Sequence, residues 1–338
     1  MPARVGWTRS GSRRRFRYFD ARGREIRDEQ KLERIRSLAI PPAWKDVWIS
    51  PAGRAKLQAT GVDAVGRKQY LYHPAFRARQ EQAKYDRLIG FAERLPGLRE
   101  TMAEHMELEG LPADKVAAIA VRLINLGWFR VGGDRYAKTS RTFGITTLRK
   151  SHVTVRGSRI SFRYRGKHSI MVRSAVVDAE LADAIRALRS VPGSRLFQYE
   201  LPDGTRSNLG QRKLNEYVKT HLGDGYTAKD FRTWGGTLLA AIELAEHPPP
   251  DNPTEAKRRI AAVMRHVAAK LGNTPAVARS SYVSPAVVEQ YLDGRTIEDF
   301  RPRHLRVVGA RDRGLDTEEQ ATLSLLRSWR IRASRAAA

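Results

Sequence analysis

Over Val153-Thr154-Val155-Arg156-Gly157-Ser158-Arg159-Ile160-Ser161-Phe162-Arg163-Tyr164-Arg165-Gly166-Lys167-His168-Ser169-Ile170-Met171-Val172-Arg173, apolar and polar residues alternate. A period of two reads as three short strands, 153–156, 159–165 and 169–173, joined by tight turns at Gly157-Ser158 and Arg165-Gly166-Lys167-His168. The flanks follow a helical period instead. Residues 95–126 are mainly helical with a break at Gly110-Leu111-Pro112, after which Val116, Ile119, Ala120 and Leu123 form a stripe suited to burial. Downstream, helices are expected over 179–189, 208–221, 229–245, 255–270 and 285–292. Pro248-Pro249-Pro250-Asp251-Asn252-Pro253 reads as a rigid connection, since consecutive prolines can continue neither neighbouring helix.

The first 75 or so residues are mixed and strand-rich. Strands are expected at 15–18 and 46–50, a helix at 28–38, and a hairpin whose second arm is Gly66-Arg67-Lys68-Gln69-Tyr70-Leu71-Tyr72-His73. Alternation puts Lys68, Tyr70 and Tyr72 on one face. Pro74 opens a long polar helix leading into a second domain near residue 90. The expected class is α+β: a strand-rich N-terminal domain at 1–90, then a mainly helical domain with a three-stranded sheet at 91–338. The Arg- and Ala-rich end forms a basic tail from about 326, expected to fray.

The chain of 338 residues carries 62 Lys+Arg against 36 Asp+Glu, a formal charge of +26 and a pI near 10.8. Nucleic acid is the leading partner. Basic residues run from Arg13, Arg14, Arg15 and Arg17 to Arg327, Arg330, Arg332 and Arg335, so a long concave binding face is expected rather than a basic tail alone. An anionic membrane surface is the competing partner, but no apolar stretch approaches the roughly 20 residues that span a bilayer. With 41% hydrophobic residues the chain can build real cores, and with no cysteine it has no disulfide, thiol nucleophile or cysteine zinc site. The Arg-rich start lacks an apolar segment, so a secretory signal is not expected and the location is cytoplasmic, in a bacterium the nucleoid.

Five residues could carry chemistry. Arg130 stands where a hydrophobic helix gives way to Val131-Gly132-Gly133; alone, it reads as a helix-terminal arginine offsetting the macrodipole. Lys167 occupies a hairpin turn, where most lysines are simply solvated, yet a mobile ammonium there could protonate a departing alkoxide. In Lys229-Asp230-Phe231-Arg232-Thr233-Trp234-Gly235-Gly236 the i, i+3 spacing turns Lys229 and Arg232 to one face, which calls for a carboxylate such as Asp230 or an anionic ligand at the helix start. Asn273 precedes Thr274-Pro275, a helix-start signal, and Tyr282 follows two turns later. Taken singly, these are a cap and a partly buried aromatic. Together, two arginines, a lysine, an amide donor and a phenol make a coherent phosphoryl-transfer set that requires no metal. No Asp-x-Asp pair, His-Glu-x-x-His or Gly-x-x-x-x-Gly-Lys-Ser/Thr loop marks metal-dependent nuclease chemistry or ATP hydrolysis.

Across nearly its whole length the sequence resembles the bacterial, poxvirus-like type IB DNA topoisomerases. The matching motifs are Gly66 to Tyr72, Phe129-Arg130-Val131-Gly132, Arg165-Gly166-Lys167, Lys229-Asp230-Phe231-Arg232-Thr233, and Gly272-Asn273-Thr274-Pro275 through Ser281-Tyr282. The resemblance implies the tyrosine recombinase/type IB topoisomerase catalytic fold, closed with the first domain as a C-shaped clamp on duplex DNA. It implies that Tyr282 forms a 3′-phosphotyrosyl link and that supercoils relax by strand rotation without ATP, metal or another cofactor. Arg130 and Arg232 would hold the non-bridging oxygens, Asn273 would donate a further hydrogen bond where viral and eukaryotic relatives have histidine, and Lys167, desolvated by its surroundings, would be the general acid. Gln69, Tyr70, Tyr72, Tyr136 and Lys229 match DNA-contacting positions, and the family habit is a monomer. A tyrosine recombinase is the nearest alternative, disfavoured because Lys229-x-x-Arg232 replaces its His-x-x-Arg and the first domain is strand-rich; a non-enzymatic basic DNA-binding protein would leave the five-residue set unexplained.

Overall fold

The computed structural model describes residues 5–12, 15–247, 250, 252–301 and 313–336. Arg13, Arg14 and, in the proline-rich connection, Pro248, Pro249 and Asp251 lie outside the described residues. The chain divides into two compact units, Met1–Lys84 and Tyr85–Ala338.

The first unit contains β1 (Trp7–Ser12), β2 (Arg15–Phe19), α1 (Glu29–Ser37), β3 (Lys45–Ile49), β4 (Leu57–Val62) and β5 (Lys68–Tyr72). Its sheet is antiparallel in the order β2-β1-β3-β4-β5. Trp7, Ile26, Ile35, Val47, Ile49 and Ala59 form its core. Asp28, expected inside α1, is its N-cap and accepts from the Lys31 N–H at 2.9 Å. β4 is the first arm of the expected hairpin, paired antiparallel with β5, whereas β1 escaped the sequence reading.

α2 (Pro74–Glu107) runs through the division between the units. The second unit continues with α3 (Ala113–Gly127), α4 (Asp134–Thr139), β6 (Val153–Arg156), β7 (Arg159–Arg165), β8 (Met171–Val177), α5 (Ala179–Ser190), β9 (Gln198–Glu200), β10 (Arg206–Asn208), α6 (Gln211–Leu222), α7 (Ala228–Ala245), α8 (Pro253–Leu271), α9 (Pro275–Ser281), α10 (Pro285–Leu292) and α11 (Thr317–Ala336). The antiparallel sheet β6-β7-β8 lies beside these helices. Val116, Ile119, Ala120 and Leu123 of α3 are completely buried, confirming the helical stripe, and Ile160, Phe162 and Tyr164 of β7 enter the same core.

Three boundaries differ from expectation for local reasons. β8 starts at Met171 because His168 and Ser169 both take left-handed backbone angles (φ 58° and 60°), which a strand cannot accommodate. Asn208 ends a strand paired with Gln198 rather than opening a helix. The end after Leu326 does not fray but stays helical as far as Ala336. α11 is tied down by a buried Arg99–Glu319 ion pair at 2.7 Å, to which Trp234 Nε1 adds a bond at 3.2 Å, and by Arg327–Glu93 at 2.6 Å. No described helix is long and apolar enough to cross a membrane.

Candidate active site

Four of the five candidate residues converge where the ends of α3 and α8 meet α7. Trp128 caps α3 in the left-handed conformation (φ 50°), its N–H returning to the Ile124 carbonyl, and this turns the chain toward Arg130. The indole then lies on α7 at Gly235, where a Cβ would stand 2.2 Å from Trp128 Nε1. The next residue, Gly236, makes room for the nucleophile candidate: a Cβ there would be 2.8 Å from the Tyr282 carbonyl oxygen. The glycine pair therefore permits two close approaches on successive residues of one helix.

Arg232 is 5% exposed. Nη1 donates to the Trp128 carbonyl and Nη2 to the Leu271 carbonyl, so the guanidinium ties the ends of α3 and α8 to α7. Arg130 Nη2 donates to the Gly272 carbonyl at 2.9 Å and to Asn273 Oδ1. Asn273 follows the left-handed cap Gly272 (φ 61°) of α8, and its own N–H returns to the Ala268 carbonyl at 2.8 Å. Thr274, not Asn273, caps α9. Arg232 Nε and Asn273 Nδ2 are buried and make no hydrogen bond within the described residues. Two buried donors at one place are an uncommon cost unless they serve a ligand.

Tyr282 ends α9, half-buried, with the Arg232 guanidinium carbon 5.1 Å from its ring centroid. Burial works to raise its pKa, but the charge of Arg232 and a hydrogen bond from its side chain, followed by the charges of Lys229 and Arg130, outweigh burial and leave it below the ordinary tyrosine value. Arg130 is held below the ordinary arginine value by burial and by the charge of Arg232. Beneath them Tyr164 is pushed well above the usual range by burial, a shift the two arginines only partly offset; it is a neutral floor rather than a second nucleophile. A cavity of about 170 Å³ is lined by Arg130, Arg232, Tyr164, Gly272 and, from the β7–β8 turn, Gly166.

Lys167 stands beside Gly166 in that turn and is exposed. The desolvation expected from sequence is therefore absent from the protein itself. The turn is closed by the Gly166 N–H donating to the Ile170 carbonyl at 2.8 Å. Asp230 is not a counter-ion for the cations: it accepts from the Thr227 N–H and hydroxyl at 2.8 and 2.9 Å, completing a capping box that starts α7. Lys229 is exposed beside it, and Tyr136 on α4 is 52% exposed. In the first unit, Tyr70 and Tyr72 project from one face of β5 with ring centroids 6.3 Å apart, while Gln69 turns to the other face and donates to Asp63 Oδ2 at 2.8 Å.

Sequence reasoning missed Thr237, whose buried hydroxyl donates to the Tyr282 carbonyl at 3.2 Å and accepts from the Ser284 N–H at 3.0 Å. It holds both sides of the candidate nucleophile to α7. Its signal, a threonine inside a helix, is too common to stand out.

The helical unit with its small sheet thus gathers two arginines, an amide and an acidified phenol at one place. The profile of the eukaryotic DNA topoisomerase I catalytic core matches residues 73–300, and that of the bacterial DNA topoisomerase IB N-terminal domain matches residues 15–63. DNA topoisomerase 1B of Acanthamoeba polyphaga mimivirus is 31% identical over 290 residues, 84% of this chain and 86% of the viral protein. DNA topoisomerase 1B of Vaccinia virus (strain Copenhagen) is 21% identical over 79% of this chain and 83% of that protein, and DNA topoisomerase 1 of Schizosaccharomyces pombe 26% identical over 52% of this chain and 21% of that protein. The chain belongs to the type IB DNA topoisomerase family.

Proposed function

We propose that this enzyme relaxes supercoiled duplex DNA by cutting one strand, letting it rotate and resealing it. Tyr282 Oη attacks a backbone phosphorus, the bond from phosphorus to the 5′-oxygen breaks, and the protein is left joined to the 3′ end as a phosphotyrosyl ester. Lys167 supplies the proton to the departing 5′-oxygen and takes it back when that hydroxyl attacks in reverse. Arg130 and Arg232 neutralise the non-bridging oxygens, and Asn273 Nδ2 donates to one of them. Each such preorganised donor is worth roughly 10² to 10³ in rate. Because the phosphotyrosyl bond conserves the energy of the phosphodiester, no ATP is consumed.

The observation that supports this reading is the meeting of an acidified Tyr282 with two buried donor atoms, Arg232 Nε and Asn273 Nδ2, that make no hydrogen bond of ordinary geometry among the described residues. The exposed Tyr70, Tyr72, Tyr136 and Lys229 are proposed to contact the duplex, with hydroxyls and the ammonium on phosphates; Gln69 is proposed to join them by exchanging its bond to Asp63 for a base edge. A monomer acting in the nucleoid on supercoiled DNA is the accompanying proposal. The test is plasmid relaxation in EDTA without ATP. Wild type relaxes the plasmid, Tyr282→Phe lowers the rate by roughly 10⁴-fold or more, and denaturant traps wild-type protein on 3′ ends. An active Tyr282→Phe, or adducts on 5′ ends, overturns the mechanism.

A further inference from the structure

Alternation along β7 turns Ile160, Phe162 and Tyr164 to the core side of the sheet. A phenylalanine at position 164 would bury the same ring without the cost of a hydroxyl that makes no bond. The residue is nonetheless a tyrosine, 4% exposed, and its hydroxyl makes no hydrogen bond of ordinary geometry among the described residues. Its ring packs beside His152, with centroids 6.1 Å apart. Tyr217, buried to a similar degree, differs: His105 Nδ1 lies 2.9 Å from its hydroxyl.

The surroundings of Tyr164 explain why it finds no acceptor. It lines the cavity of about 170 Å³ together with Arg130, Arg173, Arg232 and Lys270, and no described carboxylate joins them. Guanidinium and ammonium groups donate and do not accept. The carbonyls of Trp128, Leu271 and Gly272 in the same lining already accept from Arg232 and Arg130. Ser174 Oγ, the other hydroxyl of this lining, is itself buried without a bond. Burial also keeps the phenol of Tyr164 protonated, since the two arginines offset only part of its upward shift. A proton is therefore held ready for donation in a cavity whose charged groups all attract an anion.

We propose that Tyr164 is a further catalytic residue, its Oη–H donating a hydrogen bond to a non-bridging oxygen of the phosphate that Arg130 and Arg232 hold. A phosphate oxygen is the acceptor this cavity lacks, and bonds to such a charged acceptor are the strong ones. A neutral donor also adds a bond without adding to the repulsion that Arg130 already feels from Arg232. The inference rests on the reading of Tyr282 as a nucleophile toward a DNA phosphate.

The experiment compares wild type, Y164F and, as a control, S174A in single-turnover cleavage and religation of one short duplex, with denaturant melts alongside. Y164F is expected to slow both directions about 10- to 100-fold, the worth of a hydrogen bond to a charged group, while S174A stays within about twofold of wild type. Y164F should melt no lower than wild type, because the hydroxyl it removes has no bond to lose. Duplexes with sulfur in place of one non-bridging oxygen, a poorer acceptor, locate the bond. The loss in Y164F is expected to shrink to about twofold for one sulfur configuration and to persist for the other. Unchanged rates in Y164F overturn the proposal. So does a loss matched by S174A, a loss accompanied by a lower melting point, or an equal loss on both sulfur isomers. A cleavage-pH profile whose rising limb moves to higher pH in Y164F would assign the hydroxyl to the Tyr282 phenolate and likewise overturn it. A wild type that cleaves no duplex would break the proposed function and this inference with it, whereas an active wild type with an unaffected Y164F removes Tyr164 alone.

Discussion

Arg232 and Lys167 serve the same reaction in the proposed mechanism, yet the protein holds them in opposite ways. Arg232 is buried with both terminal nitrogens on backbone carbonyls, whereas Lys167 is exposed on a turn with two consecutive left-handed residues. A group that must stabilise charge at a fixed point gains from being locked before substrate arrives. A group that must deliver and recover a proton needs reach. The difference teaches that the proposed site combines a buried, bonded interior with an exposed rim, and that the two should fail differently when altered.

The sharpest contrast comes from Arg232→Ala. Cleavage should fall by roughly 10³ to 10⁵, and stability should also drop by about 1 to 3 kcal/mol as the buried Trp128 and Leu271 carbonyls lose their donor. Single-turnover cleavage and denaturant melts measure the two together; full stability alongside lost activity would show that the carbonyl bonds contribute nothing. Lys167→Ala should lose roughly 10² to 10⁴ in cleavage rate with stability changed by less than about 0.5 kcal/mol. A substrate with sulfur at the leaving 5′ position, which departs without protonation, should restore most of that rate. If it does not, Lys167 is not the acid.

Gly235→Ala separates packing from chemistry. The added methyl meets the Trp128 indole, so about 1 to 3 kcal/mol of stability should be lost, and any fall in cleavage should follow from displacement of Arg130. A melt unchanged from wild type would mean that Trp128 can move aside freely. Lys229→Gln should have the smallest effect. Positive charge lowers the Tyr282 pKa, so the phenolate is more abundant below the ordinary tyrosine range of about 10, and activity should rise with pH toward that range. Removing Lys229 raises the Tyr282 pKa, and the rising limb of the cleavage-pH profile moves to higher pH, with a few-fold loss at neutral pH. A limb that stays in place would remove Lys229 from the electrostatics of the phenol.

Local pattern carried much of the architecture. The buried stripe of α3, the β6–β7 hairpin, Pro74 at the start of α2 and Thr274-Pro275 at the start of α9 are set by side-chain period and by capping chemistry, which act within a few residues. What failed locally failed for non-local reasons. Asn208 entered a strand because Gln198 lay opposite it, and the end after Leu326 remained helical because α11 packs against α2, α7 and α10 through partners 35 to 234 residues away.

The same division runs through the site. The sequence by itself determined which groups are present, namely a phenol, two guanidiniums, an amide and a turn lysine, because their types and spacings are written along the chain. Only the tertiary structure decided that Arg130 rests on Asn273, that Gly235 and Gly236 yield space to Trp128 and Tyr282, and that Thr237 clasps the nucleophile's backbone. Those relations join residues far apart in sequence, and their energies exist only once helix ends and a glycine pair have been packed to within contact distance.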